Sequence, residues 1–439
     1  MKKTAICILL SMAFLFGACV SRETEGCCTP ASENTEGITE ESKNMNTDTP
    51  PEKYIACNFD NVKAMWLSQY DLTSVYTDKG KQRERSDFTE RIKAILKNVS
   101  DVGINTVYVQ VRPFADSFYP SEVYPDSGYV SGDYGQGMDY DPFEIVLREG
   151  HALGLSVHAW INPLRGMTDD EIKKVDPTYT IKKWYNDPTT RGKYIVEVSE
   201  RWYLNPAYSD TRGLVCQGVA EIVERYDVDG VHIDDYFYPT TDVGFDADVY
   251  AEYKMHGGDA SLEDFRRENI NSLVRELYSA VKGENERVLF GVSPAGVMNN
   301  NYNKLYADVA LWCKSEGYID YLCPQIYFGF EHSTCAFDKL CREFSEMVKR
   351  DEIKLIFGMT LGKAKSGYDQ YAGSGKYEWR DNKDVLIREL EYTTTVENCS
   401  GVSYFCYQYF FDPLTGKRVS ETAEEVDKLL PLLKTVKWR

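Results

Sequence analysis

The amino-acid sequence predicts a TIM (β/α)8 barrel. Eight short runs rich in β-branched and aromatic residues alternate with amphipathic helical stretches along the chain. No glycine-rich phosphate-binding loop follows the first run, which argues against an open doubly wound sheet. With 439 residues, of which 43% are hydrophobic, the chain can build the large core that a barrel requires.

The predicted strands are short and are bounded by turn residues. They lie at 62–68, 106–112, 156–162, 230–236, 289–293, 318–327, 354–360 and 401–408. Helical periodicity occupies the intervals between them, at 87–100, 142–153, 210–226, 262–281, 337–350, 384–395 and 423–433. Long loops are predicted after strands two, three and four, at 113–140, 163–205 and 239–260. Because all three leave C-terminal strand ends, they are expected to wall one groove.

Strand phase predicts which side chains point into the barrel. Val107, Val109 and Val111 form one apolar face that should meet the helices, and the third and fourth strands alternate in the same way. The residues that then face inward are Tyr108, Gln110 and Arg112; His158, Trp160 and Asn162; His232, Asp234 and Tyr236; and Tyr321, Cys323, Gln325 and Tyr327. The predicted lumen is polar and becomes more so toward the C-terminal ends, where active sites of this fold lie.

Composition narrows the classes of partner. The formal net charge of −19, from 69 acidic and 50 basic residues, would repel a nucleic-acid backbone, so no nucleic acid is predicted to bind. The 32 tyrosines suit flat, hydroxyl-rich ligands such as sugars, although most are expected in the core. The scattered cysteines lack metal-ligand spacing and are interpreted mainly as small buried hydrophobes.

The N-terminus predicts export and lipid anchoring. Residues 1–19 combine two lysines, a short apolar run and small residues before Cys19, a pattern typical of a lipoprotein signal peptide with Cys19 as the lipidated residue. A cleaved, soluble secretory protein is the alternative. Residues 20–54 are polar and predicted to be a disordered tether, which leaves 55–439 as the barrel domain. The protein is therefore expected at the cell envelope or cell surface, and its oligomeric state stays open.

The end of the fourth strand carries two adjacent carboxylates, Asp234 and Asp235. Unpaired buried charges are costly, so this pair predicts a polar cleft. Glycoside hydrolysis usually needs two carboxyl groups, and Asp234 has the inward phase. Asp235 should point elsewhere in a regular strand unless the strand end bends. Glu331, past the sixth strand, is a further candidate for the second carboxyl or a simple loop acid.

Other inward residues are candidates for substrate binding. Those predicted to contact substrate are Trp66, Arg112, His158, Asn162, His232, Tyr236, Gln325 and Tyr327. Arg112 and Asn162 would hold the ligand by hydrogen bonds. Trp66 and Tyr327 would either stack on the ligand or simply fill the lumen. The two histidines are expected to hydrogen-bond the carboxylates. The alternative to a catalytic role is that Asp234 is a structural carboxylate of the barrel, paired with Arg112 or His232. A metal site at the histidines and Asp234 is a minor alternative, and no cofactor is predicted.

Several motifs give the sequence a family resemblance. They are GINTVYVQVR at 103–112, Asp141-Pro142, HAWINP at 158–163 with Arg165, GVHIDDYFYP at 230–239 and PQIY at 324–327. The chain resembles the glycosyl-hydrolase-like family-10 lipoproteins, bacterial TIM-barrel proteins, over roughly residues 60–410. The resemblance implies a cell-envelope glycosidase, since at least some relatives cut peptidoglycan glycan strands stripped of their peptides.

One position departs from the chitinase pattern Asp-Gly-x-Asp-x-Asp-x-Glu. The aligned positions here are Asp229, Gly230, His232, Asp234 and Tyr236, so tyrosine replaces the chitinase acid. An N-acetyl-assisted mechanism remains open if Asp234 and Asp235 divide the acid and acetamido-orienting roles. The leading hypothesis is an anchored glycoside hydrolase acting on a polysaccharide. The alternatives are a non-catalytic glycan-binding surface lipoprotein and a metal-dependent hydrolase.

Overall fold

A computed structural model describes residues 53–438. Eight parallel strands form the barrel, numbered in chain order: β1 Val62–Leu67, β2 Thr106–Arg112, β3 Ser156–Ile161, β4 Gly230–Ile233, β5 Leu289–Val292, β6 Tyr321–Leu322, β7 Lys354–Thr360 and β8 Cys399–Phe405. Each strand pairs with its sequence neighbours, and β1 pairs with both β2 and β8, which closes the sheet. The predicted TIM barrel is confirmed.

Eight principal helices surround the strands. They are α1 Arg85–Asp101, α2 Pro142–Ala152, α3 Ser209–Arg225, α4 Leu262–Glu284, α5 Val309–Lys314, α6 Phe337–Met347, α7 Val385–Thr393 and α8 Ala423–Thr435. Local sequence fixes where they start: Asp141 accepts the backbone N–H groups of Phe143 and Glu144, and Pro142 occupies the first turn of α2. The helix α5 has no counterpart among the predicted helices because its six residues carry too little periodicity.

Two apolar cores confirm the predicted strand phase. Outward residues such as Val107, Val157 and Val231 join the large core beneath the helices. A smaller core fills the lumen and contains Trp66, Tyr108, Trp160, Tyr321, Cys323 and Ile356 among its buried members. Tyr108, Trp160, Tyr321 and Cys323, all predicted to face inward, therefore help to fill the barrel.

Two glycines make room for these bulky lumen residues. A Cβ atom on Gly230 of β4 would lie 2.3 Å from Nδ1 of His158, and one on Gly291 of β5 would lie 2.0 Å from the Tyr321 ring. Small and large side chains thus alternate between neighbouring strands at one level of the lumen. The barrel cannot accept a methyl group at either position without moving a buried ring.

Gly230→Ala is expected to destabilise the fold by about 1–3 kcal/mol or more, because the new methyl group overpacks the lumen against His158. Gly213→Ala is the matched control, since Gly213 lies within α3 and nothing comes within 4 Å of its added Cβ. There alanine should be neutral or raise stability by roughly 0.5–1 kcal/mol through helix propensity. Urea unfolding of both variants measures the difference; equal stabilities would contradict the packing described here.

The connections that leave the C-terminal strand ends contain ordered structure. The segment after β3, predicted to be irregular, forms a three-stranded antiparallel sheet of Arg165–Thr168, Arg201–Leu204 and Ile195–Val198, with Arg201–Leu204 in the centre. It also contains the helices Asp169–Lys173 and Thr180–Asn186. The segments after β2 and β4 carry the short helices Gly128–Ser131 and Ala247–Met255. Short strands escaped prediction because their alternation covers only four residues each.

The opposite, N-terminal end of the barrel is tied together by Asp229. Its buried carboxylate accepts hydrogen bonds from the Tyr54 hydroxyl at 2.8 Å and the Val157 N–H at 2.7 Å, and contacts His151 at 3.0 Å. Asp229 therefore stabilises the bottom of the barrel, one strand length from Asp234. Tyr54 joins this network although it was predicted to belong to the tether.

The predicted signal peptide, Cys19 and the rest of the tether lie outside the described residues. Within 53–438, no helix is long and apolar enough to cross a membrane. The eight cysteines of that range are all free thiols, and five of them are buried: Cys313, Cys323, Cys341, Cys399 and Cys406. The interpretation of the cysteines as small hydrophobes is confirmed for these five.

Candidate active site

A pocket with a cavity volume of about 120 Å³ opens at the C-terminal end of the barrel. Its walls come from the ends of several strands and the residues that follow them: Trp66, Ser68, Gln69, Tyr70, Gln110, Trp160, Arg165, Asp234, Asp235, Tyr236, Gln325, Tyr327 and Phe405. Among the residues that the structure describes, Asp234 and Asp235 are the only carboxylates in this lining.

Both aspartates reach the pocket because β4 ends early. The regular strand stops at Ile233, and the chain bends at Asp235. The strict alternation expected for a strand from 230 to 236 therefore does not apply to its last three positions. The prediction that Asp235 points away would have held only for a continued strand. The bend brings two neighbouring side chains to the same cavity.

Three N–H groups hold the Asp234 carboxylate. Oδ2 accepts hydrogen bonds from Trp160 Nε1 at 3.0 Å and from Asn162 Nδ2 at 2.6 Å, and Oδ1 accepts from the Tyr236 backbone at 3.3 Å. Asn162 is held in turn by Gln110, whose Nε2 donates to Asn162 Oδ1 at 2.6 Å. Asp234 is only 3% exposed. The side chain is thus fixed in one orientation, with its oxygens supplied with donors that favour a negative charge.

Asp235 is more accessible and less constrained than Asp234. It accepts one hydrogen bond from Gln325 Nε2 at 3.2 Å, and the same nitrogen donates to the Ser293 carbonyl at 3.0 Å. Gln325 follows β6, and a backbone bridge to Gly358 of β7 fixes it in place. Asp235 therefore has a defined position and keeps capacity to interact with a ligand in the pocket.

The two carboxyl groups influence each other's protonation. Burial raises the pKa of Asp234 well above its ordinary value, and the neighbouring charge of Asp235 raises it further. Burial also raises the pKa of Asp235. Because two charged carboxylates this close repel each other, the pair retains one proton to higher pH than an isolated aspartate would. An acid and a carboxylate can then coexist in one pocket.

Aromatic side chains form much of the remaining wall. Trp66 and Tyr327 contact each other edge to face, with ring centroids 6.5 Å apart, and Phe405 lies 5.6 Å from Tyr327. Tyr70 and Tyr236 are 65% and 40% exposed at the rim. Aromatic faces of this kind stack well on the apolar faces of sugar rings. The pocket therefore combines two acids with a surface suited to carbohydrate.

The lining loop after β1 is held by a buried carboxylate. Ser68 and Asp71 form a capping box at the start of the helix Gln69–Tyr76, and Asp71 Oδ1 accepts the Gln408 N–H at 2.7 Å. This links the loop after β1 to the end of β8. Gln69 donates its backbone N–H to Gln110 at 2.8 Å, so the loop is also tied to the residues that position Asp234.

A hydrogen-bond chain lies beneath the pocket. The Trp66 indole, which can only donate, bonds Nε2 of His232 at 3.1 Å, so the proton of neutral His232 is on Nδ1 and points to the Tyr321 hydroxyl at 2.9 Å. That hydroxyl then donates to Nδ1 of His158 at 2.9 Å, and His158 Nε2 meets Asn58 at 3.1 Å. Both histidines therefore orient lumen side chains and neither bonds Asp234, contrary to expectation.

These histidines make stability depend on pH. Burial lowers the pKa of His158 to about 4, and burial also lowers the pKa of His232 well below its ordinary value. Since the unfolded chain binds protons first, the free energy of unfolding should fall as the pH drops from about 6.5 toward 4, by about 2 kcal/mol at pH 5 for His158. His158→Gln should reduce this pH dependence in denaturant unfolding at pH 7 and pH 5. An unchanged dependence would show that His158 is not buried neutral.

Besides Asn162, His158 and His232, two further predicted site residues, Arg112 and Glu331, do not line the pocket. The register of β2 and β3 shifts between Gln110 and Arg112, which turns Arg112 away. Its guanidinium lies over the Tyr124 ring at 4.6 Å and donates to the Tyr124 hydroxyl. Glu331 is exposed on the loop after β6, where its backbone N–H donates to Glu378. Neither side chain is positioned to assist Asp234.

The remaining predictions fall into two groups. Trp66, Tyr236, Gln325 and Tyr327 line the pocket. Asn162 does not line it, but donates a hydrogen bond to Asp234, which does. Within residues 53–438, no group of three or more His, Cys, Asp or Glu side chains is arranged to hold a metal ion. The proposed metal alternative therefore has no ligand set at His158, His232 and Asp234.

Sequence reasoning missed several lining residues. Trp160 and Gln110 had the inward phase, and their position one level below the strand end could have placed them beside Asp234. Arg165 stood in a motif but received no role. The others lie at the end of the last strand or just after the first, where no single residue type gave a signal: Phe405, Ser68, Gln69 and Tyr70.

Comparison with known proteins identifies the family. The family model described as Glycosyl hydrolase-like 10 matches residues 61–372. The chain belongs to this family. The Glycosyl hydrolase-like 10 match includes β1 to β7 and all the pocket residues except Phe405 on β8. It confirms the resemblance drawn from the motifs.

Two curated relatives extend the match. Glycosyl hydrolase YngK of Bacillus subtilis (strain 168) is 31% identical over 362 residues, which cover 78% of this chain and 68% of the relative. Glycosyl hydrolase DigH of Escherichia coli (strain K12) is 29% identical over 439 residues, which cover 94% of each. Both relatives are named glycosyl hydrolases, in agreement with the family.

Solved structures share the fold. The glycoside hydrolase domain of PgaB (BpsB) from Bordetella bronchiseptica gives a TM-score of 0.54 at 15% identity, covering 84% of this chain and 98% of that domain. The catalytic domain of β-amylase from Paenibacillus polymyxa gives 0.51 at 10% identity, covering 85% and 98%. These structures show the fold, and the family supports a glycan-acting hydrolase.

Proposed function

We propose that the protein is a glycoside hydrolase that cleaves glycans of N-acetylated amino sugars, with peptidoglycan glycan strands as its substrate. The observation that carries this proposal is the pair of adjacent carboxylates, Asp234 and Asp235, in a pocket whose described lining holds no third one. Two-carboxylate glycosidases place their groups on opposite sides of the bond, about 5–9.5 Å apart. Neighbouring residues on one strand end are better suited to a reaction in which the sugar's own acetamido group supplies the nucleophile.

The surroundings of the two aspartates support a division of the two roles. Burial raises the pKa of Asp234, but its three N–H donors favour the charged form, so we assign to Asp234 the negative charge of the singly protonated pair and the orientation of the acetamido N–H. Asp235 has one donor and more exposure, so it is suited to hold the proton and give it to the leaving oxygen. The sequence left open which aspartate is the acid and which orients the acetamido group, and this assignment chooses Asp235 as the acid.

Each step of the proposed reaction uses groups in the pocket. The acetamido carbonyl oxygen attacks the anomeric carbon while the bond to the leaving oxygen breaks, and Asp235 donates its proton to that oxygen. Asp234 stabilises the positive charge that develops on the acetamido group. Water then attacks the anomeric carbon and returns a proton to Asp235, which releases the sugar with its acetamido group intact.

Support for a location at the cell envelope comes from the sequence alone. The apolar run, the small residues and Cys19 within 1–19 favour a lipid anchor, and the polar segment 20–54 would let the barrel reach a nearby polymer. A membrane-anchored hydrolase facing the cell wall accounts for both features. Incorporation of radiolabelled palmitate that is lost in Cys19→Ala is the expected result; labelling that persists in this variant would contradict the anchor.

Reducing-end release tests the proposed activity. Purified peptidoglycan glycan strands, chitin oligosaccharides and cellulose oligosaccharides serve as substrates, because only the first two carry acetamido groups. The protein should release reducing ends from peptidoglycan strands and none from cellulose. Hydrolysis of cellulose would contradict the acetamido requirement. Binding of peptidoglycan strands without release would favour the alternative, a non-catalytic glycan-binding protein.

A further inference from the structure

Arg165 is the only cation in the lining of the pocket that the structure describes, and its charge favours the ionised form of Asp234 without a direct contact. No carboxylate of residues 53–438 forms an ion pair with it, and its buried Nε lacks a hydrogen-bond acceptor. A buried N–H without an acceptor costs free energy, and a guanidinium has five N–H groups to satisfy. An unpaired arginine beside an open cavity is therefore a feature that a ligand would complete.

Aromatic contacts hold the guanidinium in place without using its donors. The Arg165 guanidinium lies over the Tyr236 ring at 4.5 Å and over the Phe114 ring at 4.8 Å. Stacking uses the faces of the planar group and leaves its N–H edges free. The three-stranded sheet, which begins at Arg165, fixes the backbone. The donors are thus oriented before any ligand arrives.

A neighbouring arginine shows the contrast. Arg201 lies over the same Phe114 ring at 4.2 Å, but its Nη1 donates to the Gly166 carbonyl at 2.7 Å and lies 3.8 Å from Glu171. The protein therefore supplies both an acceptor and a counter-charge to Arg201. It places neither in direct contact with Arg165, which differs from Arg201 in facing the pocket.

We propose that Arg165 binds a carboxylate substituent of the sugar next to the scissile bond and so selects glycans with acidic ether side groups. This inference rests on the proposed function and names the chemistry that the same pocket prefers. A guanidinium and a carboxylate form two parallel hydrogen bonds in a fixed plane. In peptidoglycan strands the lactyl ether of muramic acid is such a group, and chitin has none.

The experiment measures binding in the Asp234→Asn background, which prevents turnover and removes any effect of Arg165 on the charge of Asp234. The probes are a tetrasaccharide of alternating N-acetylglucosamine and N-acetylmuramic acid, its lactyl methyl ester, and chitin tetrasaccharide. Calorimetry should show that the acidic probe binds about 10- to 100-fold more tightly than the other two. Adding Arg165→Gln should abolish this preference and leave chitin binding unchanged.

Other outcomes separate the possibilities. Arg148→Gln removes the same charge from the outer helix α2 and should preserve the preference. If Arg165→Gln weakens all three probes equally or changes none, the proposed carboxylate site is overturned while the glycosidase stands. If wild-type protein neither hydrolyses nor binds any of the probes, the proposed function itself fails.

Discussion

Asp234→Asn should reduce glycan hydrolysis by about 10³-fold, because it removes the charge that stabilises the developing positive charge in the pocket. Asparagine keeps the shape of the side chain and an oxygen for the Trp160 and Asn162 donors. The measurement is the rate of reducing-end release at saturating substrate. Asp248→Asn is the matched control, since Asp248 lies in the segment after β4 with its side chain 73% exposed and should retain full activity.

The stability of the Asp234→Asn variant separates lost chemistry from lost fold. Burial and the charge of Asp235 raise the pKa of Asp234, so its ionised form costs stability in the folded protein above the ordinary aspartate pKa. A neutral asparagine avoids that cost at pH 7. The variant should therefore melt at the same temperature as the wild type or higher. Full activity in a folded variant would remove Asp234 from the mechanism.

Asp235→Asn should lower hydrolysis by about 10²- to 10⁴-fold, because the pocket loses the group proposed to protonate the leaving oxygen. The wild-type rate should follow a bell-shaped pH profile, because the pair is active with one proton: the acidic limb is the first ionisation of the pair and the alkaline limb is the second. In the variant the alkaline limb should disappear. Steady-state rates across the pH range measure both limbs.

The acidic limb of the same variant gives a second readout. At this limb both carboxyl groups of the wild type start protonated, so Asp235 carries no charge there, and Asp235→Asn should leave the limb close to its wild-type position. A leaving group that needs no protonation, such as dinitrophenolate, should restore much of the lost rate. If the profile keeps its alkaline limb and the activated substrate gives no rescue, another residue is the acid.

The barrel could be predicted because its signals are repeated and local. Alternating residues such as Val107, Val109 and Val111 mark the outer face of a strand wherever they occur, and eight such runs admit few other topologies. Asp234 could be predicted for the same reason, since a buried strand that ends in carboxylates must open onto something polar. Neither the barrel nor the role of Asp234 required knowing which strands pair with each other.

The rest of the site depends on where regular structure stops. Asp235 enters the pocket because β4 ends at Ile233, and Arg112 leaves it because the register shifts after Gln110. Both irregularities are decided by tertiary packing of neighbouring strands, which a single strand's alternation cannot show. Trp160 and Asn162 bond Asp234 from the adjacent strand β3, so recognising them required the strand pairing in space.

The anomeric configuration of the first product is a direct test of the acetamido-assisted mechanism. If the acetamido group of the substrate is the nucleophile and Asp234 and Asp235 serve it, two displacements occur at one carbon and the configuration is retained. Proton NMR of a chitin or peptidoglycan oligosaccharide during the first minutes of hydrolysis should therefore show the anomer of the original linkage. Initial release of the opposite anomer would contradict the account, because inversion needs a separate carboxylate to activate water.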